Sequence, residues 1–294
     1  MTDVAAIVRR FNRSYTQRIG VLEDSFLGLG MPLGTARLLF EIGTAPGSVA
    51  ELRARLGLDS GYVSRLLRRL EDAGLVAVVP DPEDRRRRQV SLTDTGRTRW
   101  RELEERSDER ARLLVDPLTP RQRDRLAAAL AEADLLVRAA TVRLEPTDPT
   151  SPPALEAVGR YFAEIGLRFG YDSGGETEKD ARLLVPPSGS FIVAISDGRP
   201  VACGGVQTIQ SEQRSSIGEI KRMWVDDAWR GAGLGSRLLR HLEDAARDLG
   251  HGVVRLDTNA ALGEAIAMYE RAGYASIERY NDNPWATHFF EKIL

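Results

Sequence analysis

Between Glu145 and Pro153 the sequence reads Glu-Pro-Thr-Asp-Pro-Thr-Ser-Pro-Pro. This run closes a stretch patterned for helices and opens one in which strands and helices alternate. Two periodicities on either side of a proline-rich break predict two domains, residues 1–140 and 141–294, rather than one core. The length agrees, because 294 residues exceed what a single ordinary core organises. Charge divides at the same place, with about +3 over residues 1–140 and about −5 over the remainder. A mildly basic half beside an acidic one suits one nucleic-acid partner and one small-molecule partner. No apolar run approaches the ~20 residues that span a bilayer, and Met1-Thr2-Asp3 does not read as a signal peptide. A cytoplasmic protein without membrane contact is therefore expected. One cysteine, Cys203, and three scattered histidines predict neither a disulfide nor a metal site.

In the first half, Val4, Val8, Phe11, Tyr15, Ile19 and Leu22 recur at helical spacing. Pro32 and Gly34 open a second helix that buries Leu38, Leu39 and Ile42. Ser48-Val49-Ala50-Glu51 is a capping box for a short helix that Gly57 stops. A third helix from about Ser60 to Asp72 follows a tight turn, which makes a helix-turn-helix. Its buried stripe is Val63, Leu66, Leu67 and Leu70, leaving Ser60, Tyr62, Ser64, Arg65, Arg68 and Arg69 outward. Short hydroxyls at the helix start with arginines further along suit a recognition helix in a DNA groove. Strands at Leu75–Val79 and Gln89–Leu92 flank a turn carrying Arg85, Arg86, Arg87 and Arg88. Four adjacent arginines repel one another, so a polyanion is their natural complement, with a narrow minor groove as one place for them.

This stretch resembles the MarR family of winged-helix regulators, most specifically in Asp84-x-Arg86-x-x-x-Val90-x-Leu92-Thr93. The resemblance implies a mainly α, winged helix-turn-helix domain. It also implies a homodimer in which helices near Val4–Leu29, Asp94–Val115 and Pro120–Ala140 form the frame. Two recognition helices would then meet a pseudo-palindromic duplex about one helical turn apart. Thr119-Pro120-Arg121-Gln122 supplies a capping signal for the last of these helices.

The second half predicts an α/β mixed sheet: a possible strand at Thr141–Leu144, a helix over 154–169, and strands over 191–196, 200–209 and 217–225. A helix over 233–249, a strand over 253–257, a helix over 263–272 and closing strands over 275–280 and 288–293 complete it. Gly231, Gly233 and Gly235 leave backbone amides uncovered at the start of the 233–249 helix, and Arg230 adds charge there. Such amides at the positive end of a helix bind phosphate oxygens.

With Glu219–Val225 before it and Leu256–Asn259, Ala265–Tyr269 and Gly273-Tyr274 after it, the segment is similar to the GNAT acetyltransferase superfamily. Arg230, Gly233 and Gly235 fill that superfamily's cofactor motif. The resemblance implies that Arg230, Gly231, Gly233, Leu234, Gly235 and Ser236 hold the pyrophosphate of acetyl-CoA. Met223, Trp224 and Val225 would pair through their backbone with its pantetheine arm, and an amide there would polarise the acetyl carbonyl. Asn259 and Tyr269 match positions lining the arm and the thioester.

Tyr269 is then the candidate acid for the departing thiolate. Glu219 is the candidate base, acting through water, since strand alternation sets it on one face with Lys221 and Met223. The loop Tyr280–Trp285 and His288 lie where relatives close over the acceptor. Lys221 or Arg222 could receive a carboxylate, which favours a small or amino-acid-like amine. Cys203, in a strand of small residues, reads as packing. Three functions stay open: a regulator fused to an active enzyme, a regulator whose second half only senses an acyl-CoA, and an enzyme dimerised by a winged helix.

Overall fold

The computed structural model describes residues 3–20, 25–81, 84, 86–171, 181–211 and 214–294. By contact density the chain divides into units 1–127 and 128–294, described in turn.

The first unit begins with α1 (Val4–Arg18), capped by Asp3. None of its residues is buried, and Val4, Ile7, Val8, Phe11 and Tyr15 are exposed. The expected continuation to Leu29 is not found: α1 stops at Arg18, before Gly20 at φ 75°. Phe26–Gly28 forms a separate 3₁₀ turn, and Leu22 lies outside the described residues. Helix α2 (Leu33–Thr44) buries Leu38, Leu39 and Ile42. Next comes a short strand β1 (Gly47–Ser48), which the sequence pattern did not anticipate. The capping box closes as predicted, with Glu51 N–H on Ser48 Oγ at 3.2 Å and Ser48 N–H on Glu51 Oε2 at 2.8 Å.

That box starts α3 (Val49–Leu56), and Gly57 turns the chain at φ 62°. Asp59 then caps α4 (Ser60–Asp72), whose Val63, Leu66, Leu67 and Leu70 are buried. Strands β2 (Val76–Pro80) and β3 (Arg88–Leu92) form the wing, in a sheet of order β1-β3-β2. Thr93 caps α5 (Asp94–Val115) and ties back to the Gly74 carbonyl at 2.7 Å. The last helix, α6 (Pro120–Thr141), contains the division between the units. Gln122 Oε1 accepts from Thr119 N–H at its start, as the capping signal predicts.

In the second unit the end of α6 is anchored through Ala139, which is buried, and through Arg138, whose guanidinium lies 4.7 Å from the Trp229 ring centroid. The sheet runs β4 (Leu144–Pro146), β5 (Gly189–Ser196), β6 (Arg199–Ser211), β7 (Arg214–Val225), β8 (Val253–Thr258), β10 (His288–Ile293), β9 (Ala275–Ser276). Among the described residues only β7 and β8 pair in parallel. The first strand sits later than Thr141–Leu144 because α6 carries helix to Thr141. Strand β9 ends early because Arg279 bends the chain onto the carbonyls of Asn281, Asn283 and Ala286. Helix α7 (Pro152–Phe169) packs on one face of the sheet with Phe191, Cys203 and Trp224. Helices α8 (Leu234–Asp248) and α9 (Gly263–Arg271) cover the other through Leu234, Leu238, Leu242 and Tyr269.

Candidate functional site

A glycine-rich turn with left-handed backbone enters α8. Gly231 and Gly233 take φ of 80° and 83°, with Gly233 as the left-handed N-cap. An added Cβ would meet nothing within 4 Å at either, so backbone strain and not crowding requires glycine there. The Leu234 side chain is fully buried and holds the helix end to the sheet. The amides of the first turn, Leu234, Gly235 and Ser236 among them, have no intrahelical acceptor. The Arg230 guanidinium, expected to add charge at this turn, is committed to a carboxylate and a carbonyl. It donates to both oxygens of Glu164 at 2.6 Å and to the Val225 carbonyl at 3.0 Å.

Beside this turn the central pair of strands parts. Strands β7 and β8 pair at Gly218–Val254 and Glu219–Arg255, and the pairing stops there. On its other edge β7 carries a bulge, with Lys221 opposite Gly205 but Trp224 opposite Cys203. Arg222 absorbs the extra residue at φ 53°. The two faces can be told apart by their neighbours. A Cβ on Gly205 would strike Leu184 and Phe191 on the α7 side, and one on Gly204 would strike Leu242 on the α8 side. Glu219 and Lys221 therefore face α7, whereas Met223 and Val225, beyond the bulge, join the α8 cluster. This overturns the expectation that Glu219, Lys221 and Met223 share a face. Trp224 turns toward α7, where its Nε1 donates to Glu164 at 2.9 Å.

The gap opens into a cavity of about 750 Å³, lined on the α8 side by Met223, Ala265 and Tyr269 and on the α7 side by Glu219, Lys221 and Asp257. The Tyr269 hydroxyl has a weak partner, Met223 Sδ at 3.9 Å. Burial, and then the Asp257 charge, push that phenol above the ordinary tyrosine range. Glu219 is 4% exposed, and four groups surround its carboxylate. Gln207 Nε2 (2.7 Å), Tyr280 OH (3.0 Å) and Asn281 Nδ2 (3.3 Å) donate to it, and Lys221 Nζ stands at 3.6 Å.

Asp257, at the end of β8, is half-buried and accepts from Asn281 Nδ2 at 2.6 Å and Asn283 Nδ2 at 3.1 Å. Burial raises its pKa, the Asn281 bond acts against that, and the Glu219 charge adds to it. Asn259 Nδ2 donates to the Trp285 carbonyl at 2.7 Å, so its amide braces the 280–287 loop. His288 does not line this cavity. Cys203 is fully buried and its thiol is pushed up to about 12 by that burial, which confirms packing.

In the first unit α3, α4 and the wing enclose an open groove of about 760 Å³. Ser60, Ser64, Arg68, Arg86, Arg87 and Arg88 line it together. Asp84 orders the wing turn, accepting from Arg86 N–H at 3.0 Å and pairing with Arg87 at 3.6 Å. Tyr62, Arg65 and Arg69 are outside the lining. Tyr62 packs its hydroxyl against Gly34 and carries Arg65 over its ring at 5.7 Å. Arg85 lies outside the described residues.

Residues 156–274 match the model of the Acetyltransferase (GNAT) family and residues 29–87 that of the MarR family. The chain is 32% identical over 143 residues to an IAA acetyltransferase of Azospirillum brasilense, covering 48% of this chain and 88% of that protein. The chain belongs to the GNAT acetyltransferase family. Among solved structures, a GNAT acetyltransferase of Staphylococcus aureus superposes with a TM-score of 0.46 at 16% identity, over 52% of this chain and 99% of that one. Escherichia coli MarR superposes with a TM-score of 0.39 at 22% identity, over 45% and 98%. By these family matches the protein joins a MarR-like winged-helix domain to a GNAT domain, and the GNAT domain is an acyl-CoA-dependent N-acyltransferase.

Within the GNAT domain the structure brings Tyr269, Met223 and Glu219 to one cavity and places the Gly231–Ser236 turn at the entry to α8, a short way along the chain from β7. Asp257 and its asparagine clamp are not marked in the sequence pattern. A carboxylate at a strand end carries no periodic signal, and only the pairing of β8 with its neighbours sets it beside Glu219. The density of Asn and Asp in Tyr280-Asn281-Asp282-Asn283 was the available hint.

Proposed function

We propose that this protein is an acetyl-CoA-dependent N-acetyltransferase of a small amine, joined to a transcriptional regulator that binds a pseudo-palindromic DNA operator as a homodimer in the cytoplasm. The division of labour falls near residue 140. The enzymatic half is carried by one observation: where β7 and β8 part, Tyr269 and Met223 reach the gap from the α8 face and Asp257 and Glu219 from the α7 face.

The residues fit the donor. Open amides over 231–236 suit a pyrophosphate, and the edge of Met223–Val225 that β8 leaves unpaired, apart from the Val225 carbonyl held by Arg230, suits a pantetheine amide. Acetyl-CoA supplies the acetyl group and a thiolate leaving group. A backbone amide of the 223–225 stretch polarises the acetyl carbonyl. The Tyr269 hydroxyl gives its proton to the sulfur as the carbon–sulfur bond breaks. The carboxylate pair takes the proton that the attacking amine sheds. Glu219 was the sequence candidate for that step, but its oxygens are engaged and it is nearly sealed. Asp257 opens on the cavity and is the better placed acceptor, with Glu219 aligning Asn281 behind it.

The regulatory half is supported by the groove that gathers Arg68 and Arg86–Arg88. The exposed apolar face of α1, with Phe11 and Tyr15 stacked at 5.5 Å, supports a homodimer. Calorimetric titration with acetyl-CoA and with free CoA tests the enzymatic reading. Binding of both, followed by thiol release on adding amines, is expected; binding of neither overturns it.

A further inference from the structure

We propose that the acceptor is a primary amine bearing an aromatic ring, with its ammonium on Asp257 and its ring against Phe169, Tyr171 and Trp285. This rests on the acetyltransferase reading and adds the chemistry of the acceptor.

Rings from three parts of the second unit converge on the α7 side of the cavity. Phe162 and Phe169 come from α7, Tyr171 follows its Gly170 stop, and Trp285 comes from the 280–287 loop. Centroids lie 5.6 Å apart for Phe162–Tyr171, 5.5 Å for Tyr171–Trp285 and 6.4 Å for Phe169–Trp285. All four are half-buried and line the cavity, and Phe162 also packs on the core between α7 and the sheet. Aromatic surface left partly uncovered in a concave site is where an apolar ligand gains most.

Charge selects the other end of that ligand. Asp257 faces the cavity with its carboxylate fixed by two asparagine amides, ready to accept from an ammonium. The cations nearby are engaged: Lys221 stands at 3.6 Å from Glu219, and the Arg222 guanidinium lies 5.5 Å from the Phe162 centroid. An amino acid would set its own carboxylate against Asp257 and Glu219. The amino-acid-like acceptor expected from the sequence is therefore disfavoured.

One side chain sets the spacing. Asn283 donates to Asp257 at 3.1 Å and accepts from the Trp285 amide at 3.1 Å. Charge and ring contacts thus lie within reach of a single molecule with a short alkyl link between amine and aryl group.

The test uses the full chain with acetyl-CoA, following thiol release with 2-phenylethylamine, n-hexylamine and phenylalanine, beside calorimetry of acetyl-CoA binding. The expected kcat/KM for 2-phenylethylamine is about tenfold or more above either alternative. Trp285→Ala should shrink the aryl-over-alkyl ratio to about twofold, and Trp285→Phe should restore most of it. Phe169→Ala gives a second measure of the wall. The ratio is read on one preparation, so partial unfolding of a variant cancels. Equal turnover of hexylamine or phenylalanine, or a ratio unchanged by Trp285→Ala and Phe169→Ala, overturns the proposal while leaving the acetyltransferase reading intact. Absence of acetyl-CoA binding overturns that reading and this inference with it.

Discussion

Arg230 grips both carboxylate oxygens of Glu164, 66 residues away in sequence, at 2.6 Å. The same carboxylate accepts from Trp224 Nε1 and pairs with Arg168, while Arg230 also holds the Val225 carbonyl. Helix α7, the end of β7 and the glycine turn are thereby tied together by a network, which is worth more than an isolated exposed pair. Arg230 is a strut for the turn.

That assignment makes a signed prediction. If Arg230 bound pyrophosphate by charge alone, Glu164→Gln would release it and tighten CoA binding. As a strut, it loses its anchor, and CoA binding should weaken about threefold to tenfold. Arg230→Ala should weaken binding by a similar factor, and the double variant little further. Tighter binding by Glu164→Gln in calorimetry would refute the strut.

Gly233→Ala isolates the backbone requirement. At φ 83° alanine is strained by roughly 1–2 kcal/mol, although nothing crowds the new methyl. CoA and acetyl-CoA should both bind about tenfold more weakly, because the first-turn amides turn away from the phosphates. Gly235→Ala meets the flexible Met268 Sδ at 3.2 Å and Val225 Cγ2 at an ordinary 3.8 Å, and should be milder. Equal effects at the two positions would count against a left-handed cradle.

The legible parts of this chain were those with short-range causes. Ser48 and Glu51 close a capping box within four residues of sequence, and Val63 to Leu70 keep one helical face, so the helix-turn-helix could be read almost residue by residue. The glycine turn was legible because Gly231 and Gly233 have few other uses. What could not be read depends on partners distant in sequence. The bulge at Arg222 flips Met223 to the far face, and strand alternation gives no warning of it. The commitment of Arg230 to Glu164 and the clamp of Asn281 and Asn283 on Asp257 arise only when separate strands and loops meet.

Tyr269→Phe separates an enzyme from a sensor. The variant should retain acetyl-CoA affinity, since the hydroxyl's hydrogen-bond partner is the weak acceptor Met223 Sδ, and lose about a hundredfold in kcat. Burial holds the phenol protonated beyond the ordinary value of about 10. The wild type should therefore show no loss of kcat from this group between pH 8 and 10. Unchanged turnover in Tyr269→Phe would remove its role as acid.

Asp257 predicts the other limb of the profile. A carboxyl is a base only when deprotonated, so activity rises as pH rises through its pKa. Burial raises that pKa, and the ascending limb should sit above the usual carboxylate range. Asp257→Asn should abolish this limb and lower kcat by about a hundredfold. Glu219→Gln, which keeps the shape of the clamp, should cost less. The reverse order of the two variants would return the base role to Glu219.

On the DNA side, the groove orders the arginines. Arg68 and Arg86 line it with Ser60 and Ser64, while Arg65 lies over Tyr62 and Arg69 stands outside the lining. Each phosphate contact contributes about 0.9 to the slope of log affinity against log salt. Arg68→Ala and Arg86→Ala should each lower that slope by about one on a random-sequence duplex, measured by fluorescence anisotropy across a salt series. Arg65→Ala and Arg69→Ala should change it by less than half as much. The contrast matters because all four arginines are exposed, and a merely basic surface would treat them alike. Equal slopes for the four variants would mean that the groove between α4 and the wing does not hold the duplex.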